Sequence, residues 1–226
     1  LKVALISDIH SNLEALETAL QEIDKRDIRH IYCLGDVVGY GADPNPCTDR
    51  IRQVAKETIA GNHDSAVVGL TSTHYFNSYA QAAILWTSRQ LTETNRLFLK
   101  NLPMTCTDNG VYCVHATPTN PERWDYIFAR TEAERHFQAF KEPICFIGHS
   151  HIPADFWSKD GTRRIVNIGS IGQPRDRDPR LSFVIYDVET GEVERVRLQY
   201  DVEKASEKIR KAGLPEFLAE RLFWGM

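Results

Sequence analysis

The chain has no cysteine pair spaced as Cys-x-x-Cys, and its cysteine count is odd. Cys33, Cys47, Cys106, Cys113 and Cys145 lie mostly inside apolar runs. They read as reduced, buried residues of a cytoplasmic protein, not as a disulfide framework. Long apolar runs are also missing. The run at residues 3–6 is too short for a signal peptide or a membrane span, so no membrane partner is expected. Charge of one sign is scarce: 27 basic residues stand against 31 acidic ones, a net charge of −4. That balance argues against a general nucleic-acid binder and against a disordered acidic tail. There is no repeat, no low-complexity stretch and no Pro/Gly/Ser-rich linker, so one domain is expected over residues 1–226. What remains is ordinary globular composition, 42% hydrophobic over 226 residues. A chain of this length buries roughly 70–75% of its unfolded surface and needs no staple to stay folded.

Short β-branched runs alternate with helical patterns. Strands are expected at residues 3–7, 31–34 and 57–60, with helices at 12–25 and 47–56 between them. This βαβαβ opening implies a parallel sheet with helices on its faces, whose functional groups gather where strands end. Residues 64–102 read as helical, with Tyr79, Ala82, Ala83 and Trp86 at helical spacing and a second helix after Thr92. Tyr79 and Trp86 are expected in the core, and the insert either caps the site or serves oligomerisation. Strands resume at 111–114 and 144–147, with an amphipathic helix near 132–140 between them. The last third reads as strands at 155–158, 164–168, 181–187 and 192–199, with hairpin turns at Asp160-Gly161 and Thr190-Gly191. Helices at 202–212 and 215–223 close the chain, the last presenting Phe217, Leu218, Leu222 and Phe223 for docking on the domain. The pattern suggests an α/β fold of two facing sheets with helices outside.

Five polar clusters fall just after these strands. They are Asp8-Ile9-His10, Gly35-Asp36, Gly61-Asn62-His63-Asp64, His115, and Gly148-His149-Ser150-His151. Taken singly, each has an ordinary reading. Asp8 or Asp36 alone is a helix cap or turn former. Gly61-Asn62 is a turn, and His30, His74 and His136 are hydrogen-bonded core or surface residues. Yet five of the eight histidines lie in the five clusters, all at the ends of apolar strands. Neutral imidazole with carboxylate is a ligand set for hard or borderline divalent ions.

In this order the clusters resemble the motifs of the calcineurin-like metallophosphoesterase superfamily, over residues 3–151 at least. One departure is Val114 before His115, where many members have glycine. The resemblance implies a four-layer αββα sandwich of two mixed sheets around a binuclear metal centre. Asp8, His10, Asp36 and His151 would hold one ion. Asp36, Asn62, His115 and His149 would hold the other, with Asp36 bridging. His63 would act on the scissile phosphate as an imidazolium, and Asp64 would orient it. The oxygen and nitrogen donors suit Mn²⁺, Fe or Zn²⁺ and not Ca²⁺. Mn²⁺ is the ion the resemblance favours.

Two further signals lie nearby. Tyr40, in the loop after Asp36, reads either as a wall of the substrate pocket or as packing on its own loop. Arg175, in the alternating Arg/Asp stretch after Gly169-Ser170, reads either as a bidentate phosphate ligand or as part of a self-paired solvated loop. The expected function is a metal-dependent phosphoesterase (hydrolase) acting on phosphodiester or nucleotide-like small phosphate esters. Phosphoprotein phosphatase and dinucleoside-tetraphosphate hydrolase are its enzymatic alternatives. A phosphoesterase-like scaffold is the non-enzymatic one. The sequence leaves the oligomeric state open.

Overall fold

A computed structural model describes residues 1–226. Ten strands form two five-stranded sheets. The first sheet has the order β10-β9-β1-β2-β3, from Val193–Leu198, Leu181–Asp187, Lys2–Ile6, His30–Cys33 and Glu57–Thr58. The second has the order β4-β5-β6-β8-β7, from Thr105–Asp108, Val111–Val114, Ile144–Ile147, Arg164–Asn167 and Ala154–Trp157. Strands β1, β2 and β3 run parallel, as do β5, β6 and β8. Both sheets are therefore mixed: the β10-β9-β1, β4-β5 and β7-β8 pairings are antiparallel, and β3 closes the first sheet as a parallel edge strand.

Strand alternation explains the layering. Val3 and Leu5 of β1 face the second sheet, where they meet Val111, Cys113, Ile144, Phe146 and Val166. Ala4 and Ile6 face the other way, onto α1 (Leu13–Lys25) and α2 (Pro44–Val54). Residues buried on both sides give β1, β6 and β9 their near-continuous apolar runs. Helix α1 packs Leu16, Ala19, Leu20 and Ile23 inward, and the Asn12 side chain accepts from the Ala15 N–H to cap it. Helix α2 starts at Pro44, earlier than the apolar period predicts, because proline is well suited to the first turn.

The insert after β3 is α3 (Asn62–Val67), a turn, α4 (Ser78–Gln90) and α5 (Glu93–Lys100). Its inward face differs from the expected one. Helix α4 buries Ala80, Ala83, Ile84 and Thr87, while Tyr79 and Ala82 point outward and Trp86 is half-buried. The amphipathic helix expected at 132–140 is a four-residue α6 (Arg130–Ala133) followed by a 3₁₀ turn. Ala133, Phe137 and Phe140 still fill the apolar cluster beneath the second sheet, so the burial pattern held where the helix did not. Short helices owe their stability to packing, and here a tight turn delivers the same anchors. Strand β4 has no counterpart in the sequence reading; its Thr-Cys-Thr-Asp run carries no apolar alternation. Helices α7 (Val202–Lys211) and α8 (Glu216–Glu220) close the chain, burying Leu218 and Leu222 but leaving Phe217 and Phe223 partly exposed. Cys106 is half-buried, and the other four cysteines are buried. No helix is long and apolar enough to cross a membrane.

Candidate metal centre

Parallel strands of both sheets end at the same place. Asp8 and His10 follow β1, Asp36 follows β2, Asn62 opens α3 after β3, His115 follows β5, and His149 and His151 follow β6. All seven are buried. Backbone hydrogen bonds tie these strand ends together. The Asp8 N–H donates to Gly35 O (3.0 Å), the His10 N–H to Asp36 O (2.9 Å) and the Gly148 N–H to His115 O (2.9 Å). Asp8, His10, Asp36, His149 and His151 all have φ between 50° and 65°, in the left-handed region. Such backbone is costly for residues with a Cβ and clusters where function requires it.

Every histidine of the set is oriented by a main-chain carbonyl. Nδ1 of His10 faces Val38 O at 3.1 Å, Nδ1 of His115 faces Leu34 O at 2.7 Å, and Nδ1 of His151 faces Gln173 O at 2.5 Å. His149 is turned round, with Nε2 at 2.9 Å from Trp124 O. A carbonyl can only accept, so each of these nitrogens carries a proton and donates it. The opposite ring nitrogen is thereby left for a ligand, the usual supporting arrangement of metal-binding histidines.

The carboxylates are oriented in the same way. Asp8 Oδ2 accepts from the His149 N–H at 3.0 Å, and Asp36 Oδ1 accepts from the His63 N–H at 2.8 Å. Their other oxygens, with Asn62 Oδ1 and His115 Nε2, are buried and have no hydrogen-bond partner. His10 Nε2 and His151 Nε2 stand 3.1 Å apart, and Asp36 Oδ2 is 3.6 Å from His10 Nε2 and 3.4 Å from His115 Nε2. Unpartnered buried acceptors are destabilising unless a proton or cation joins them. Ligand atoms fall into three groups, each within 4.8 Å: Asp8, His10 and His151; His10, Asp36 and His63; and Asp36, His115 and His149. His10 and Asp36 each belong to two of them. The donor set thus fits divalent cations, in number and in chemistry.

Electrostatics agree with that fit. Burial alone would raise both carboxyls, but His151 and His115 around Asp8, and His115, His63 and His10 around Asp36, hold them below the ordinary carboxylate range. Burial pushes His149 down to about 3 and His63 to about 4, and lowers His10 and His151 as well. His115 goes the other way: burial is outweighed by Asp36 and Asp8, which lift it to about 9. Ionised carboxylates and neutral imidazoles are the ligating forms, so only His115 must lose a proton on metal binding.

Two expectations need correction. Asp64 makes no hydrogen bond to the His63 ring. Its Oδ1 accepts from the Val38 N–H (3.1 Å) and its Oδ2 from the Gly61 N–H (3.2 Å), so it fastens the loops after β2 and β3 to each other. Burial and the Asp36 charge push its pKa up to about 7. His63 is not an imidazolium at rest, since burial leaves it neutral. Its ring packs 4.4 Å from Tyr40 and 5.0 Å from Phe76, and its Nδ1 has no partner.

A recess of about 250 Å³ opens over the centre, lined by Asp36, Asn62, His63, His149 and His151. Tyr40 and Arg175 both line it. The Arg175 guanidinium lies 5.6 Å from the Tyr40 ring centroid and donates to Gln173 Oε1, with no carboxylate partner. Its neighbours Asp176 and Asp178 are taken by Arg197 and Arg180. The sequence reading missed the loop after β5, where Trp124 and Tyr126 line the recess. Trp124 is held at φ 56° and supplies the His149 carbonyl, and Tyr126 stacks on the His149 ring at 4.2 Å. The alternate aromatics Trp124, Tyr126 and Phe128 after Asn120-Pro121 were the available signal.

Comparison with known proteins places this arrangement. The model of the calcineurin-like phosphoesterase superfamily domain matches residues 1–191. The uncharacterized protein MJ0912 of Methanocaldococcus jannaschii is 42% identical, covering 99% of this chain and 98% of its own length. A metallophosphoesterase from Sphaerobacter thermophilus superimposes with a TM-score of 0.90 at 35% identity, over 100% of this chain and 99% of that one. The hypothetical protein PH1004 of Pyrococcus horikoshii has the same fold, with a TM-score of 0.87 at 23% identity over 100% and 98% of the two chains.

Proposed function

The chain belongs to the calcineurin-like phosphoesterase superfamily and is a phosphoesterase, a hydrolase, and on its geometry we propose that it works with two divalent cations. Asp8, His10, Asp36 and His151 would hold one, and Asp36, Asn62, His115 and His149 the other. The observation that carries this reading is the convergence of buried ligand atoms with no hydrogen-bond partner, at Asp8 Oδ1, Asp36 Oδ2, Asn62 Oδ1 and His115 Nε2. Nitrogen and oxygen donors without thiolate suit Mn²⁺, Fe or Zn²⁺, and Mn²⁺ is the ion we propose. When bound, such a pair supplies Lewis acidity to the phosphoryl oxygens and makes the attacking water acidic enough to ionise near neutral pH.

The remaining work falls to side chains of the recess. His63, beside Asp36 and open to the recess, donates a hydrogen bond to a phosphoryl or leaving oxygen from its neutral ring. An anionic phosphate seated against it raises its pKa, so the ring takes up a second proton from solvent as the ester binds; the imidazolium passes that proton to the leaving oxygen and returns to the neutral ring. Arg175, free of any carboxylate, binds a phosphate oxygen, and Tyr40 holds both His63 and Arg175 in place. Asp64 keeps the Asp36 and Asn62 loops in register through the N–H groups of Val38 and Gly61. A recess of about 250 Å³ takes a small ester, and we assign phosphodiesters or nucleotide-like phosphate esters as the substrate. The test is hydrolysis of bis(p-nitrophenyl) phosphate and p-nitrophenyl phosphate by protein loaded with Mn²⁺, beside the same protein in EDTA. Turnover of the diester that disappears in EDTA is expected. Stoichiometric Mn²⁺ with no turnover of either ester would turn the assignment toward a scaffold.

A further inference from the structure

Hydrolysis of a phosphate calls for charge and proton donors, but the recess presents aromatic rings as well. Two loops far apart in sequence bring them. The turn between α3 and α4 contributes Tyr75 and Phe76, and the loop after β5 contributes Trp124 and Tyr126. Phe76 meets His63 edge-on, and Tyr126 is stacked on both His149 and Phe128, at interplanar angles of 16° and 12°. Aromatic surface therefore borders the proposed phosphate position from two directions. Tyr75 is 92% exposed and Tyr126 46% exposed, so neither is placed there by core packing. Trp124 Nε1 is buried without an acceptor, and Asn77 adds a polar group to the same lining.

We propose that this recess binds the flat heteroaromatic ring of a single nucleoside phosphate ester, stacking it on Tyr75 with Tyr126 against its edge, beside the metal centre. Stacking on aromatic side chains is how proteins hold nucleobases at low entropic cost. The polar groups at the ring's edge give the orientation that stacking alone lacks. One nucleotide, not a polymer, fits the rest of the molecule: the net charge is −4, and a tracked phosphate backbone needs a basic groove. The proposal rests on the phosphoesterase reading for its phosphate and goes beyond it by naming the group esterified to that phosphate.

Equilibrium dialysis of radiolabelled adenosine against the full chain in EDTA reads the ring site without any hydrolysis. Adenosine should bind, ribose at the same concentration should not compete, and Tyr75→Ala and Tyr126→Ala should each weaken binding about tenfold. Tyr75 is exposed and its removal leaves the core untouched, so that variant folds even if Tyr126→Ala does not. A second arm, with Mn²⁺, compares kcat/KM for thymidine 5′-(p-nitrophenyl phosphate) and methyl p-nitrophenyl phosphate, which share a leaving group. The nucleoside diester should be preferred, and the preference should shrink about tenfold in Tyr75→Ala. Adenosine binding no tighter than ribose overturns the ring site, whatever the diesters do. Adenosine binding without turnover of either diester supports the ring site and counts against the phosphodiesterase reading.

Discussion

At the scale of the residue, Asp36 and His63 separate two kinds of contribution. Asp36 points one oxygen between His10 Nε2 and His115 Nε2, the place proposed for a bridging ligand, and accepts from the His63 N–H with the other. Asp36→Asn should therefore lose metal and activity together, read by metal analysis and diester turnover; full occupancy of two ions in that variant would contradict the bridging role. His63→Ala should keep the fold and the ions and lower kcat by about 10²–10⁴-fold. Unchanged turnover would remove His63 from the chemistry. The residue types of this site were readable in the sequence because Asp, Asn and His after apolar runs are conspicuous. The part played by Asp64 was not, since its partners are N–H groups of Val38 and Gly61, which no side-chain pattern announces. The wiring of His149 through the Trp124 carbonyl was hidden for the same reason.

At the scale of the element, the strand ends must approach one another closely enough to share ligands, and glycine makes this possible. A Cβ on Gly61 would overlap the Asp36 carboxylate and backbone, and one on Gly148 would overlap Ser7 Oγ and Asp8 Oδ2. Gly61→Ala should cost about 1–3 kcal/mol and displace the Asp36 carboxylate. A thermal melt and metal analysis would register both, and a variant with wild-type Tm and full occupancy would refute the argument. Between the sheets, Phe146→Ala should cost about 3–5 kcal/mol by opening a cavity, measured by urea unfolding. Most elements were legible because strands buried on both faces and amphipathic helices carry strong periods. The exceptions have physical causes. Strand β4 is held at an edge by its ladder to β5 and not by apolar alternation. The inward face of α4 is made by Ala80 and Ala83, whose small side chains admit close packing, while the larger Tyr79 turns outward and packs at a tilt against Phe217.

At the scale of the whole molecule, stability should report on the centre. Without ions, His10, His63, His149 and His151 are buried and neutral, with pKa values below the ordinary 6.5. A folded-state pKa below the unfolded one means that the unfolded chain binds more protons, so their contribution is complete above about pH 6.5 and is lost as pH falls. Asp64, raised to about 7, acts oppositely between pH 7 and 4, but it is one group against four. His115, at about 9, is protonated in both states below pH 6.5 and stays out of that window. In EDTA the Tm should therefore fall between pH 6.5 and 4.5; a flat profile would contradict the burial of neutral imidazoles. Mn²⁺ at 100 times its Kd should add about 2.7 kcal/mol, a rise of about 5–10 °C in Tm.

The left-handed turns at Asp8, His10, Asp36, His149 and His151, with their carbonyl and amide anchors, are set by the main chain itself. Ion capture then finds its coordinating atoms already parked, and the entropy of assembling them is charged to folding instead. Soaking a cation into an empty crystal should leave the lattice intact and the loops where they were.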